Sequence, residues 1–268
     1  MLTSYAEKTV LVTGGTRGIG LATALAFGKL GASTVLTYRW GAADLDEVAK
    51  KFEDVGAKAP LIVRADAADA KDTPALLQAI RSRHDAVDVF VSNVAGAVVA
   101  GDFMEMTERA LLKTMSYTAW PTFAYLQALR ATFGRFPRYV VATSSPGPDR
   151  YSPGYDFVAA SKAVLETLVR YTSYRLRDDN VNVNVVRVGA LDTQSAREMF
   201  GADLFGFLAR RAPPGFRWLT AEDVANVVLA LCSGWLDGVQ GQTLTVDRGV
   251  LFGDNAMRLY SQRGELGL

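Results

Sequence analysis

Short runs of β-branched and apolar residues alternate along the chain with longer stretches whose apolar positions recur at helical spacing, the pattern of repeated β-α units packed into a parallel sheet. The runs that read as strands are Thr9 to Thr13, Thr34 to Tyr38, Leu61 to Arg64, Val87 to Ser92, Tyr139 to Thr143, Val181 to Val188 and Thr243 to Val246. Helices are expected near Gly18 to Leu30, Asp44 to Val55, Thr73 to Arg83, Thr107 to Phe133, Tyr155 to Arg177 and Ala221 to Cys232. No linker-like or low-complexity segment interrupts the rhythm, so residues 1–268 read as one α/β domain with about seven strands in a single parallel sheet flanked by helices. One stretch departs from it. Thr193 to Arg217, rich in Phe, Arg, Gly and Pro, follows the sixth strand and reads either as a lid over a ligand or as a helical hairpin capping the core. The tail from Leu251 onward is polar and glycine-spaced, and no element is assigned to it.

Charge and composition then narrow the chemistry. Hydrophobic residues make up 49% of the chain, enough for a sizeable core, and 29 basic residues against 28 acidic ones leave a net charge of +1. Such a balance creates no field that would draw in nucleic acid or an anionic membrane, so neither is expected as a partner. One cysteine, Cys232, and one histidine, His84, rule out an internal disulfide and disfavour metal centres and catalytic triads built on those residues. The opening residues lack a signal-peptide layout and no apolar run nears a membrane span, which leads us to expect a soluble, cytoplasmic protein.

After the first strand comes Thr13-Gly-Gly-Thr-Arg-Gly-Ile-Gly20, running straight into the apolar helix that begins at Leu21. Glycines at a strand-to-helix turn let backbone approach a diphosphate, and the helix start adds unpaired N–H groups and the positive end of a dipole. Gly14, Thr16, Arg17, Gly18, Ile19 and Gly20 are therefore candidate cofactor contacts. With strand before and helix after, the turn is a far stronger signal than a glycine pattern alone.

On these residues the sequence resembles the short-chain dehydrogenase/reductase family, and the resemblance runs through most of the chain. It implies a doubly wound sheet of Rossmann type and a nicotinamide cofactor. Asp66 stands where the family contacts the adenine ring. Asn93-Val-Ala-Gly96 corresponds to its N-N-A-G segment, with Ser92 in place of the first asparagine, which marks Asn93, Ala95 and Gly96. Gly189-Ala-Leu-Asp-Thr193 replaces P-G-x-x-x-T, with Val188 for the proline, and Gly241 to Asp247 matches the closing strand. At the end of the second strand, Thr37-Tyr-Arg-Trp40 contains no acid to bind a ribose 2'-hydroxyl. Tyr38 and Arg39 stand there instead. Arg39 offers a planar fork to a 2'-phosphate, with Arg17 as a second cation, so NADPH is the expected cofactor unless both arginines are ordinary solvated residues.

The catalytic helix departs from the commonest family pattern. Four residues before Lys162 lies Val158, where Y-x-x-x-K would have tyrosine, but Tyr155 precedes Lys162 by seven. Seven helical steps of about 100° bring the two side chains to within roughly 20° of one face, two turns apart. This Y-x6-K spacing, together with Ser161 to Tyr171 and Gly189 to Thr193, resembles the NADPH-dependent enoyl-thioester reductases of the family. The resemblance implies that Lys162 binds the nicotinamide ribose and that Tyr155 stabilises the enolate of a CoA or acyl-carrier-protein thioester. Moving the tyrosine away from the nicotinamide makes geometric sense, because hydride then goes to Cβ while charge develops on an oxygen several bonds away. Tyr151 is a rival donor in the same Pro/Gly-rich segment. Ser145, beside Ser144, occupies the family's serine position, and Ser116 stands for its proton-relay asparagine. The family also implies a homotetramer built through the helices near 107–133 and 155–177. Two further readings stay open: a ketoreductase with a repositioned Tyr155, and a silent NADP(H)-binding protein.

Overall fold

The computed structural model describes residues 4–39, 44–96, 98–99, 101–211, 217–253, 257 and 260–264. Trp40, the end of the 193–217 insertion at 212–216 and much of the tail lie outside them. Seven parallel strands form one sheet: β1 (Thr9–Val12), β2 (Ser33–Tyr38), β3 (Leu61–Arg64), β4 (Val89–Ser92), β5 (Tyr139–Ser144), β6 (Asn182–Val188) and β7 (Thr243–Val246). Their order is β3-β2-β1-β4-β5-β6-β7. Central strands covered on both faces must be apolar almost throughout, and β1 (TVLV) and β4 (VFVS) are buried along their whole length. The edge strands β3 and β7 are only partly covered.

Alternate side chains of a strand point to opposite faces, so each strand feeds two cores. Val10 and Val12 pack with Phe27 of α1 (Gly18–Lys29) and with Val224 and Val228 of α9 (Ala221–Leu231). Leu11 goes the other way, into a core with Leu76 and Ile80 of α3 (Asp72–Arg81), Tyr125 and Leu129 of α5 (Trp120–Phe133) and Leu165 of α6 (Asp156–Arg175). The strand order reverses between β1 and β4. In sheets of this kind the crevice outside the carboxyl ends of those two strands is where ligands bind.

The expected helix over 107–133 is two helices, α4 (Glu108–Thr118) and α5, broken at Ala119. Pro121 explains the break: it donates no N–H and its ring clashes with a preceding helical carbonyl, so it is tolerated only in a first turn, where it sits at the start of α5. The helix expected from Tyr155 starts one residue later, with Tyr155 as the capping residue of α6. Between α1 and β3, α2 spans Leu45–Asp54. The described part of the insertion is a pair of short helices, α7 (Gln194–Phe200) and α8 (Leu204–Arg211). No described helix is long and apolar enough to cross a membrane, and the described residues contain no group of three metal-ligating side chains.

Candidate active site

The turn after β1 is built from backbone constraints. Gly14 and Gly18 have φ of +63° and +54°, in the left-handed region that glycine adopts without strain. A Cβ on Gly20 would lie 2.3 Å from the Gly14 carbonyl oxygen, so α1 can lean onto the turn only as glycine. Asn93, at the end of β4, ties the turn down: its Nδ2 donates to the carbonyls of Thr13 and Gly14, each at 3.3 Å, and its backbone N–H donates to Thr13 Oγ1 at 3.0 Å. Asn93 thus shapes the turn with its side chain. Thr16 is buried, while Gly18 is exposed and Ile19 half-buried at the start of α1. That helix opens with no capping side chain and no acidic residue in its first turn. The glycine cradle and the uncapped helix start both fit the diphosphate of a nicotinamide dinucleotide.

At the end of β2 the Arg39 guanidinium pairs with the carboxylate of buried Asp66 and donates to the Tyr117 hydroxyl at 2.6 Å. Asp66 also accepts from the Ala68 N–H at 3.0 Å. Tyr38 lies beside Arg39, in register with Arg64 of β3. Arg17 has a different carboxylate partner, Glu198 of α7, at 3.7 Å. The sequence did not point to Tyr117, which is one of several half-buried residues of α4. Its neighbours bolt α4 to the segment after β4. Thr118 Oγ1 donates to the Gly96 carbonyl at 2.8 Å, Thr114 Oγ1 accepts from the Val98 N–H at 3.2 Å, and a Cβ on Gly96 would meet the Tyr117 Cβ at 2.9 Å. Ala95 is exposed in the same segment. Ser116 turns its hydroxyl back to the Lys113 carbonyl at 2.8 Å.

Lys162 lies inside the molecule, and its Nζ donates to the Thr143 carbonyl of β5 at 2.7 Å. Burial pushes its pKa down to about 8, against an upward pull from the Glu166 carboxylate one turn along α6. The serine pair after β5 divides. Ser144 donates to Glu166 Oε1 at 2.5 Å, whereas Ser145 is turned toward Tyr155. The Ser145 hydroxyl is buried and makes no hydrogen bond of good geometry, yet it stands near enough to favour ionisation of the phenol. Burial outweighs that effect and raises the Tyr155 pKa above its ordinary value.

Gly147 makes room for the Tyr155 ring, since a Cβ there would lie 2.8 Å from it, and Phe200 of α7 packs on the ring with centroids 5.6 Å apart. Nothing in the sequence pattern marks Gly147, whereas Phe200 is one of the phenylalanines that set the insertion apart and suggest an apolar pocket. Tyr151 sits 84% exposed on the rim of a cavity of about 250 Å³ that Tyr155, Gly147 and Asp156 also line. Val158 is buried and does not line that cavity. Beyond β6, Gly189 packs so closely on β7 that a Cβ would lie 2.6 Å from the Asp247 Cβ, and Thr193 caps α7 by accepting from the Ala196 N–H at 3.1 Å. The Thr193 methyl lies across from Gly18, so the start of α7 faces the glycine turn.

A glycine cradle at the reversal point of a parallel sheet, with a buried lysine and a tyrosine beyond it, defines a dinucleotide-binding α/β protein. Comparison with known sequences carries this to a family: residues 14–251 match the family model described as enoyl-(acyl carrier protein) reductase, and the chain belongs to that branch of the short-chain dehydrogenases/reductases. It is therefore an oxidoreductase of the nicotinamide-dependent type. Among its relatives is the short-chain dehydrogenase/reductase AacuN of Aspergillus aculeatus, 28% identical, with 91% of this chain and 96% of that protein aligned. Another is the 1-cyclohexenylcarbonyl-CoA reductase of Streptomyces collinus, 27% identical over 92% of this chain and 88% of the relative. A short-chain dehydrogenase from Burkholderia cenocepacia, solved in complex with NADP, superposes with a TM-score of 0.77 at 25% identity, covering 91% of this chain and 98% of that one.

Proposed function

We propose that the protein reduces the carbon–carbon double bond of a 2-enoyl thioester, carried on CoA or an acyl carrier protein, with NADPH as reductant. The observation that carries this reading is the placement of the two tyrosine positions. Tyr155 is seated by Gly147 and Phe200 with its ring beside Ser145, while Val158, where a carbonyl reductase of the commoner pattern would carry its tyrosine, is in the interior. NADPH, when bound, supplies the hydride that goes to Cβ.

The chain's own groups do the rest. Gly14, Gly18 and Gly20 bring the start of α1 against the diphosphate. Lys162 Nζ reaches the nicotinamide ribose hydroxyls, orienting the ring and adding positive charge near the developing enolate. Tyr155 Oη, a protonated phenol whose pKa burial raises further, would donate to the thioester oxygen and stabilise the negative charge there. Tyr151, exposed at the rim, lines the entrance. Phe200 of α7 packs on the ring of Tyr155 and holds it in place. With NADPH bound, Arg39 would exchange Asp66 for the 2'-phosphate, a stronger anion, leaving Asp66 to hold the adenine.

A ketoreductase draws on one observation, the proximity of the Ser145 hydroxyl to Tyr155, which would let both point at a ketone oxygen. Assembly into a homotetramer is supported by apolar side chains left exposed along α4 to α6, among them Leu112, Trp120, Leu168 and Tyr171. The deciding experiment offers crotonyl-CoA and a simple ketone in turn, with NADPH and then NADH, and follows the nicotinamide absorbance. We expect turnover with crotonyl-CoA and NADPH. Turnover of the ketone alone would establish the ketoreductase, and tight NADPH binding with no turnover of either would leave a nucleotide-binding protein.

A further inference from the structure

Beside Lys162 lies a cluster that the proposed chemistry does not use. Glu166, one turn further along α6, has a side chain only 4% exposed, and three donors hold it. Ser144 Oγ of β5 donates to Oε1 at 2.5 Å, and Arg187 of β6 grips both carboxylate oxygens, Nε to Oε1 at 3.1 Å and Nη2 to Oε2 at 2.6 Å. This two-pronged grip fixes the plane of the carboxylate as well as its position. Arg187 then extends its third nitrogen to Asp149, in the loop that carries Tyr151 and leads into Tyr155. A charged pair this deeply buried contributes little net stability compared with apolar residues of the same size. Its location, joining β5, α6, β6 and the substrate loop next to the site lysine, calls for another role.

We infer that Glu166 and Arg187 act as positioning residues: Glu166, clamped one helical turn from Lys162, places a fixed negative charge beside its ammonium, and Arg187 ties the loop of Tyr151 to the same clamp through Asp149. This rests on the reading that Lys162 meets the nicotinamide ribose. The geometry has a simple logic. Lys162 Nζ is anchored by one backbone carbonyl, which fixes its position and leaves its protonation to the surroundings. Of the charged groups on the elements packed against α6, Glu166 acts directly on Lys162. Arg187 reaches it through Glu166, Asp149 acts on Arg187, and the titratable Tyr155 stands at the start of the helix. Burial disfavours the charged form of the lysine, and the fixed carboxylate opposes this.

The test is the pH dependence of NADPH affinity, read from nucleotide fluorescence, in the wild-type protein and in Lys162→Ala, Glu166→Gln and the double variant Glu166→Leu/Arg187→Met. Glu166→Gln strands a buried guanidinium and risks misfolding, whereas the double variant replaces the whole pair with apolar groups and is expected to unfold at or above the wild-type temperature. Wild-type affinity should weaken about tenfold as pH rises through about 8, where Lys162 loses its charge. Lys162→Ala should be weaker and independent of pH. Both Glu166 variants should keep the low-pH affinity but show the midpoint moved down by about one pH unit or more. Lys162→Ala without pH dependence, alongside Glu166 variants that retain the wild-type midpoint, overturns the inference while leaving the ribose contact standing. A Lys162→Ala protein that keeps the wild-type pH profile removes the ribose contact and the inference together.

Discussion

The two ends of the site are built in different ways. At the β1–α1 turn, geometry is local: the positive φ angles of Gly14 and Gly18 and the missing Cβ of Gly20 place backbone N–H groups where a diphosphate can meet them. At the β5–α6 end, nothing local determines the chemistry. Tyr155 is seated by Gly147 from a loop and Phe200 from the insertion, Lys162 hangs on a β5 carbonyl, and the charge beside it is held by an arginine from β6. A cofactor end of the first kind tolerates many substrate ends of the second, which is how one fold serves different reductions.

That contrast can be pressed by mutation, and the largest effects are expected at the assembled end. Tyr155→Phe keeps the ring and its packing on Phe200 while deleting one donor to the developing oxyanion, so kcat on an enoyl thioester should fall by roughly 10² to 10³ with NADPH affinity unchanged. Tyr151→Phe, at an exposed rim position, should leave kcat within about twofold of wild type. A loss confined to Tyr151→Phe would move the donor role there. Lys162→Ala should lower kcat by about 10² through poor placement of the nicotinamide, measured in the same steady-state assay.

Changes at the local end should alter which cofactor is used while sparing the chemistry. Arg39→Asp exchanges a fork for phosphate with a carboxylate that repels it and is suited to a ribose diol. Each charge-assisted contact is worth on the order of 1.5 to 3 kcal/mol, so the ratio of NADPH to NADH affinity should fall by about 10- to 100-fold. Equal binding of both cofactors by the wild-type protein would contradict the role given to Arg39. Back at the assembled end, Gly147→Ala should have a smaller effect on kcat than the loss of Tyr155 or Lys162. The new methyl must displace the Tyr155 ring, which it would otherwise meet at 2.8 Å, and kcat should drop about tenfold with cofactor affinity intact.

How much of this could be read from residues alone follows the same division. The seven strands were legible because buried parallel strands are apolar along their length, and the glycine turn because its spacing implies its shape. The break at Ala119 was also written in the chain, in Pro121, but the apolar periodicity on both sides of it reads as one helix. The Tyr155–Lys162 spacing suggested a shared helical face; in the structure Tyr155 is the half-buried capping residue just outside α6, and Lys162 is buried against β5. Tyr117, Gly147, Glu166 and Arg187 were not legible, because each owes its place to contacts between distant segments that no periodicity encodes; Phe200 stood out only as one aromatic of the insertion, without its partner Tyr155. Arg17 and Arg39, paired in the sequence reading as two cations for one phosphate, each have a carboxylate partner of their own here, Glu198 and Asp66.

The claim on which the account turns is that reduction occurs at the β-carbon of an enoyl thioester. Its most direct test uses NADPH deuterated at the transferable position with crotonyl-CoA, followed by mass spectrometry of the acyl product. We predict butyryl-CoA with one deuterium on Cβ, and the loss of that product in Tyr155→Phe. An acyl chain recovered unsaturated and unlabelled, while a ketone offered to the same preparation acquires deuterium at its carbinol carbon, would contradict it.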